Sequence, residues 1–339
     1  MQPDGITSTP TEEWTSRVPV VWRGPLIRLG LAWLALIALG WAEWAEMARQ
    51  WWDASTYNHI LLVPPILFWL VRQRSSELMR LTPSAWWPGL VAMVPALLVW
   101  RIGAALEVNL VSQVGTVATL QVAVIILLGP RVTWALLFPL GYMLLLVPFG
   151  DELIPALQGV TASLAVWLTH ISGVPAVIDG IFIDTPVGLF EVAEACSGVK
   201  FLVAMVALGA LVAHLCFASP KRRLLFMVAA VIVPVLANGV RAWGTIYIAQ
   251  SQGMEFAAGF DHIVYGWIFF ALVMAAVIGG SWRYFDRSPE DPLIDVAAIE
   301  GSNRLAKLSK YETAGWNALA LIIVLAGAVV WIDRLARIA

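Results

Sequence analysis

Long apolar runs separated by short polar breaks fill most of this sequence, and they repeat at helical rather than strand length. The runs fall near 26–46, 57–71, 86–104, 108–128, 132–148, 197–218, 223–249, 262–282 and 315–333. A helix needs roughly 20 apolar residues to cross a hydrocarbon core of about 30 Å, and these runs approach or reach that length. The pattern predicts an all-α polytopic membrane protein with about eight to nine transmembrane helices. A membrane β-barrel would alternate apolar and polar positions over segments of about ten residues, and none occur. The opening stretch "MQPDGITSTPTEEWTSRVPVVW" lacks the basic start and short apolar core of a cleaved signal, so it reads as a polar tail.

One segment breaks the rhythm. From Leu153 to Ala195 the chain is too irregular for a plain crossing. Its first half, "LIPALQGVTASLAVWLTHI", reads as an interfacial or re-entrant helix. Its second half, "GVPAVIDGIFIDTPVGLFEV", mixes β-formers with Gly, Pro and Asp, which predicts a hairpin-like loop. Non-helical backbone at such a depth has to be wet or buried in protein. The loop leads straight to Cys196, so it would suit a cap over a site.

Charge placement orients the spans. Hydrophobic residues make up 60% of the chain and charged ones only 13%, about half the charge of a soluble domain. The basic groups Arg72/Arg74/Arg80, Arg131, Lys221/Arg222/Arg223 and Arg283/Arg287 fall on one side with Arg17, Arg23 and Arg28. Under the positive-inside rule that side is cytoplasmic. The opposite loops hold Asp53, Asp151, Glu152, Glu255 and Asp261. Arg334 and Arg337 depart from the rule, since they would lie outside. The lipid bilayer is therefore an expected partner, whereas a net charge of −2 argues against nucleic acid.

With that topology three chemically able side chains share the outer depth. Cys196 opens the sixth span in "EACSGVKFLVAM". In "VPVLANGVRAWGTIYIAQ" Asn238 and Arg241 are three residues apart, on one helix face in the outer half. His262 begins the next span in "DHIVYGW". Ionisable residues within spans are costly and usually face a partner or a wet cavity. A thiol, a guanidinium and an imidazole together suit acyl transfer through cysteine. A helix N-terminus and a nearby cation favour the thiolate, and Cys196 has its own helix start and Lys200 one turn away, about 6 Å. His262 would take the thiol proton and return it to the leaving amine. Arg241, with a fixed fork of donors, would stabilise an oxyanion or grip a carboxylate, and Asn238 would orient one of the group.

Bland readings stand beside this one. Cys196 taken alone is a small packing residue, as Cys216 in "AHLCFASP" is expected to be; Arg241 and Lys200 can snorkel or pair, and His262 can be interfacial. Asp151 and Glu152 read as solvated loop charge. Tyr57 and His59, in "WWDASTYNHILLVPP", read first as residues of the outer interface. The four histidines show no metal-ligand spacing, and no phosphate loop, dinucleotide fingerprint or GxSxG elbow occurs. No cofactor or metal is expected. Two non-enzymatic readings stay open: a polysaccharide export or transport component with Arg241 and Lys200 lining an anionic path, or a scaffold in which the polar trio joins helices.

The set "TYNHILLVPP", "VPFGDELIPALQ", "EVAEACSGVKFLVAMVALGAL", "VPVLANGVRAWGTIYIAQ" and "DHIVYGWIFF" resembles the exosortases, integral-membrane cysteine transpeptidases of Gram-negative bacteria. The resemblance covers about residues 50 to 285, and the subtype resembled is the one associated with exopolysaccharide clusters. It implies a catalytic trio of Cys196, Arg241 and His262, with Glu194, Lys200, Asn238, Asp261 and His59 in supporting or substrate-binding roles. It also implies an inner-membrane protein whose site faces the periplasm. The implied clients are exported proteins ending in a Pro-Glu-Pro motif, one transmembrane helix and a basic cluster; the acceptor nucleophile stays unassigned. In the family position 200 is often arginine, and lysine keeps the charge without the fork. The expected organisation is a cytoplasmic tail at 1–25, a catalytic core at 26–285, a cytoplasmic linker at 286–314 and an extra helix at 315–339.

Overall fold

The computed structural model describes residues 18–253, 266–288, 291 and 293–338. They form two compact units, one from the described parts of Met1–Asp53, Ile60–Pro148 and Pro292–Ala339, the other from those of Ala54–His59 and Phe149–Asp291.

The first unit opens with α1, Val20–Leu39, which ends at Gly40, and α2, Trp41–Asp53. A turn and a 3-10 helix, Asn58–Leu62, lead to α3, Val63–Gln73, whose Pro64 and Pro65 occupy a first turn where no backbone donor is needed. The pair Trp41–Asp53 and Asn58–Gln73 is bent by 109°. Then come α4, Gly89–Ala105, α5, Asn109–Ala135, and α6, Leu137–Tyr142, continued by the 3-10 helix Met143–Leu146. Helices α4 and α5 approach at backbone distance through glycine: a Cβ on Gly115 would stand 2.1 Å from the Trp100 nitrogen, and one on Gly103 would stand 2.2 Å from the Ser112 nitrogen. Small residues let membrane helices pack by van der Waals contact where no hydrophobic drive separates protein from lipid. Indole N–H groups add cross-ties. Trp33 donates to the Leu120 carbonyl at 3.0 Å, Trp51 to that of Leu146 at 2.9 Å, and Trp100 to the Glu43 carboxylate at 2.8 Å.

Two short capped helices extend this unit near its C-terminal end. Asp295 caps α11, Val296–Glu300, by accepting from the Ala298 N–H, and Ser302 caps α12, Asn303–Leu308, by accepting from the Leu305 N–H. Both pack on α5. The last helix, α13, spans Gly315–Ile338 and packs along α1 and α4.

The second unit is built on one long helix. Its chain begins with a 3-10 turn, Asp151–Leu153, and α7, Ile154–Ile171. A three-stranded antiparallel meander follows: β1 Val177–Asp179, β2 Phe182–Thr185 and β3 Gly188–Glu191, with Ile178 opposite Ile183 and Ile183 opposite Phe190. Next are α8, Val199–Cys216, α9, Pro220–Gln252, and α10, Gly266–Ser281. With 33 residues α9 is about 50 Å long, well beyond the hydrocarbon thickness. Helix α8 covers its first half, where Gly209 meets Ala230, and α7 covers its second half, where Leu164 meets Gly239. Phe201 of α8 and Phe270 of α10 stack with centroids 4.5 Å apart.

The chain is an all-α polytopic membrane protein. Six described helices are long and apolar enough to cross a bilayer, or seven when the bent pair counts as one span. The difference from the expected eight to nine lies in particular segments. The run at 132–148 divides: α5 continues to Ala135 through a kink at Gly129 (φ 79°) and Pro130, leaving a stretch from Leu137 to Leu146 too short to cross as a helix. The run at 26–46 is broken at Gly40, and 57–71 is a helix only from Asn58. Gly89–Ala105, with 17 residues, falls at the short limit. The segment expected as an interfacial or re-entrant helix is continuous, and Asp151–Ile171 is long and apolar enough to cross. It lies beside the half of α9 that extends past the start of α8. The expected hairpin-like loop is the meander. Residues 286–314, expected as a cytoplasmic linker, hold α11 and α12.

At the α8–α9 connection Asp286 accepts from the Ala218 N–H at 2.7 Å and the Ser219 N–H at 3.4 Å, with Arg222 at 3.5 Å. The Ala218 donor, chiefly, holds this carboxyl below the ordinary carboxylate range. A depressed carboxyl contributes stability above its unfolded pKa, and that contribution is lost as pH falls through the folded value. Thermal unfolding in detergent should show Asp286→Asn less stable than the parent at pH 7. The gap should close on acidification below about pH 4. A separate prediction concerns α4 and α5: Gly115→Ala forces the backbones apart and should lower the unfolding temperature, an overpacking cost of about 1–3 kcal/mol or more.

Candidate active site

Cys196 stands on a turn whose shape is set by its own sequence. After β3 the chain enters a 3-10 turn, Glu194–Cys196, with the Cys196 N–H bonded to the Ala193 carbonyl at 2.8 Å and the Ser197 N–H to that of Glu194 at 3.1 Å. Gly198 then takes a left-handed conformation (φ 84°), which glycine adopts without a Cβ penalty, and α8 starts at the next residue. The Ser197 hydroxyl accepts from the Val199 N–H at 3.3 Å, while the Gly198 carbonyl accepts from Phe201 and Leu202. The thiol-bearing residue thus sits just outside a helix N-terminus, where partial positive charge collects.

Helix α9 supplies the other side. Asn238 is buried, and its amide donates to the Cys196 carbonyl at 2.8 Å and to the Thr161 hydroxyl of α7 at 3.0 Å. One turn on, Arg241 is also buried; a Cβ on Gly266, at the start of α10, would lie 3.9 Å from the guanidinium carbon. Lys200 stands on the first turn of α8 with its ammonium 5.1 Å from the Phe201 ring centroid, where it feels the charges of both Arg241 and Cys196. Cys196 itself is half-buried against a cluster from α7, the meander and α9 that includes Ala162, Ala165, Ile183, Val192 and Ile246. Small residues on α7 leave room for the turn.

Beside the turn lies a cavity of about 470 Å³ lined by Ser55, Thr56, Asp151, Pro155, Gln158, Glu194 and Lys200, among others. Glu194 and Lys200 of the expected supporting set therefore share a wall. Asp151 is exposed, as its reading as solvated loop charge expects, and it also accepts a hydrogen bond from the buried Tyr57. His59 is placed differently: it is part-buried with Nδ1 3.1 Å from the Thr56 carbonyl, and it is not among the cavity residues. His262 and Asp261 lie outside the described residues. Among the described residues no group of three His, Cys, Asp or Glu side chains converges as a metal site.

Sequence reasoning missed Thr161 and Gln158. Both are buried on α7; Thr161 receives the Asn238 amide, and Gln158 donates to the Val192 carbonyl at 2.7 Å, holding the strand that leads to Cys196. The available signal was two polar residues three apart, on one face of a largely apolar helix. Gly198 yields a prediction. A Cβ there would stand 2.7 Å from the Asn238 amide carbon, and the positive φ adds strain. Gly198→Ala should cost about 1–3 kcal/mol of stability and slow alkylation of Cys196, read by thermal unfolding and by maleimide labelling of the folded protein.

Neither curated proteins nor solved structures provide a match to this chain. The family model described as transmembrane exosortase matches residues 51–279, a stretch that contains the Cys196 turn, Asn238, Arg241 and the cavity wall. That match covers well over half of the sequence, and on it the chain belongs to the transmembrane exosortase family.

Proposed function

We propose that the protein is a membrane cysteine transpeptidase that cleaves the C-terminal sorting tails of exported proteins, at a site on the outer face of the inner membrane. The observation that carries this reading is a cysteine held on a fixed turn at a helix start, with the Lys200 ammonium in electrostatic reach and Arg241 in turn close enough to act on Lys200. The transpeptidase character of the family supports it. The clients implied are proteins with a Pro-Glu-Pro motif ahead of one transmembrane helix and a basic cluster. A tail stopped in the bilayer by its basic end would present the motif at the outer interface, the depth assigned to Cys196 by charge placement.

The chemistry follows from the groups. The Cys196 thiolate adds to the scissile carbonyl, and the thiol proton passes to His262. Arg241 and Lys200 offset the charge gathering on the carbonyl oxygen. The C–N bond then breaks, the leaving amine takes the proton from His262, and the client remains as a thioester on Cys196. An acceptor nucleophile attacks that thioester, its proton goes to His262, and the thiol is restored. In sequence His262 precedes by four residues Gly266, which lies against Arg241.

The test is co-expression with a reporter carrying such a tail, read by gel shift and by mass spectrometry of the new C-terminus. Cys196→Ala and His262→Ala should abolish processing at unchanged membrane levels. Arg241→Ala should lower it by roughly 10²–10³-fold, the usual cost of losing an oxyanion donor. An adduct on the reporter marks transfer, and a bare carboxylate marks hydrolysis. Processing that survives Cys196→Ala would overturn the proposal.

A further inference from the structure

We infer that Asn238 is the positioning residue of the nucleophile, its amide fixing the turn from which the Cys196 thiol projects; this rests on Cys196 being the nucleophile. An amide buried in an apolar helix is costly unless hydrogen-bonded, and Asn238 places both donor bonds on functionally separate elements. One runs to the Cys196 carbonyl at 2.8 Å, the other to the Thr161 hydroxyl at 3.0 Å. The side chain therefore ties α9, which also carries Arg241, to the catalytic turn and to α7 through a single planar group. Nothing longer or bulkier fits between them, because Gly198 lies directly over the amide: a Cβ there would be 2.7 Å from its carbon and 2.9 Å from its nitrogen. Glycine at 198 and asparagine at 238 are thus one fitted pair.

The consequence is geometric. With its carbonyl held, the Cys196 backbone cannot swing away, and the thiol stays beside the start of α8 and within electrostatic reach of Lys200. Losing the hold frees the turn to shift against its packed cluster on α7, and the thiol moves off the Lys200 ammonium that favours its thiolate. Asn238 touches neither substrate nor thiol in this role; it acts through the backbone of Cys196.

Cysteine alkylation reads this without any client. The chain has two cysteines, and in a Cys216→Ser parent the only thiol is Cys196. N-ethylmaleimide labelling of the full-length protein in detergent should slow roughly tenfold at pH 7 in Asn238→Ala, the scale of one lost buried hydrogen bond. Asn238→Asp should slow it as much, because a carboxylate matches the shape but cannot donate. Thr161→Val should act in the same direction by a smaller factor, Thr161→Ser should restore the parent rate, and Thr161→Val should add nothing to Asn238→Ala. In reporter cleavage the same variants should lower kcat and leave KM unchanged. Unfolding temperature and membrane level are measured for each variant. Parent-like alkylation in folded Asn238→Asp or Thr161→Val overturns the inference. Where the Asn238 variants do not accumulate, the Thr161 pair decides it: slow Val with normal Ser supports it, and equal rates overturn it. Failure of the transpeptidase reading shows separately, as cleavage indifferent to Cys196→Ala, since the labelling rates are read in the absence of client.

Discussion

An amide buried in an apolar helix must find acceptors, and the second unit is arranged around the two that Asn238 finds. A polar group stranded away from water costs several times what a satisfied one contributes, so its partners cannot drift. The Cys196 carbonyl and the Thr161 hydroxyl are fixed in this way against α9. From that one tie follow the left-handed glycine at 198, the start of α8 a residue later, and the exit from the meander. The Gln158 bond to Val192 secures the approach to the same turn.

Helix α9 is covered by protein along both of its halves. It is longer than a bilayer core, so two helices can share it end to end, α8 on one half and α7 on the other. Cys196 falls at their junction. There the backbone leaves helical geometry, which a membrane protein tolerates only where protein or water satisfies the freed groups. Side chains of α7 and α9 do so here, and a polar cavity opens beside the turn. Glu194 and Ala195, just before Cys196, line that cavity, while Cys196 itself packs on the apolar cluster.

In the first unit glycine plays the opposite part. Gly103 and Gly115 carry no function of their own, but their missing side chains let α4 and α5 meet at the backbone. Tryptophan then supplies what glycine lacks, as indoles reach across to carbonyls of neighbouring segments.

Apolar runs and charge placement alone determined the class, the orientation expectation and the candidates Cys196, Asn238 and Arg241, because burial in lipid imposes a length and a composition that local sequence displays. The alternation in 174–192 likewise displayed strands in advance. Family resemblance added roles that spacing could not supply. Tertiary structure alone decided that Asn238 serves the Cys196 carbonyl, that Thr161 is its second partner and that Tyr57 bonds Asp151, residues far apart in the chain. It also decided where runs stop being spans: Gly40 and the Gly129–Pro130 kink redirect helices whose hydropathy continues unbroken. Hydropathy records how a residue meets its solvent, whereas partners and breaks depend on which distant surfaces come together, and no local pattern encodes that.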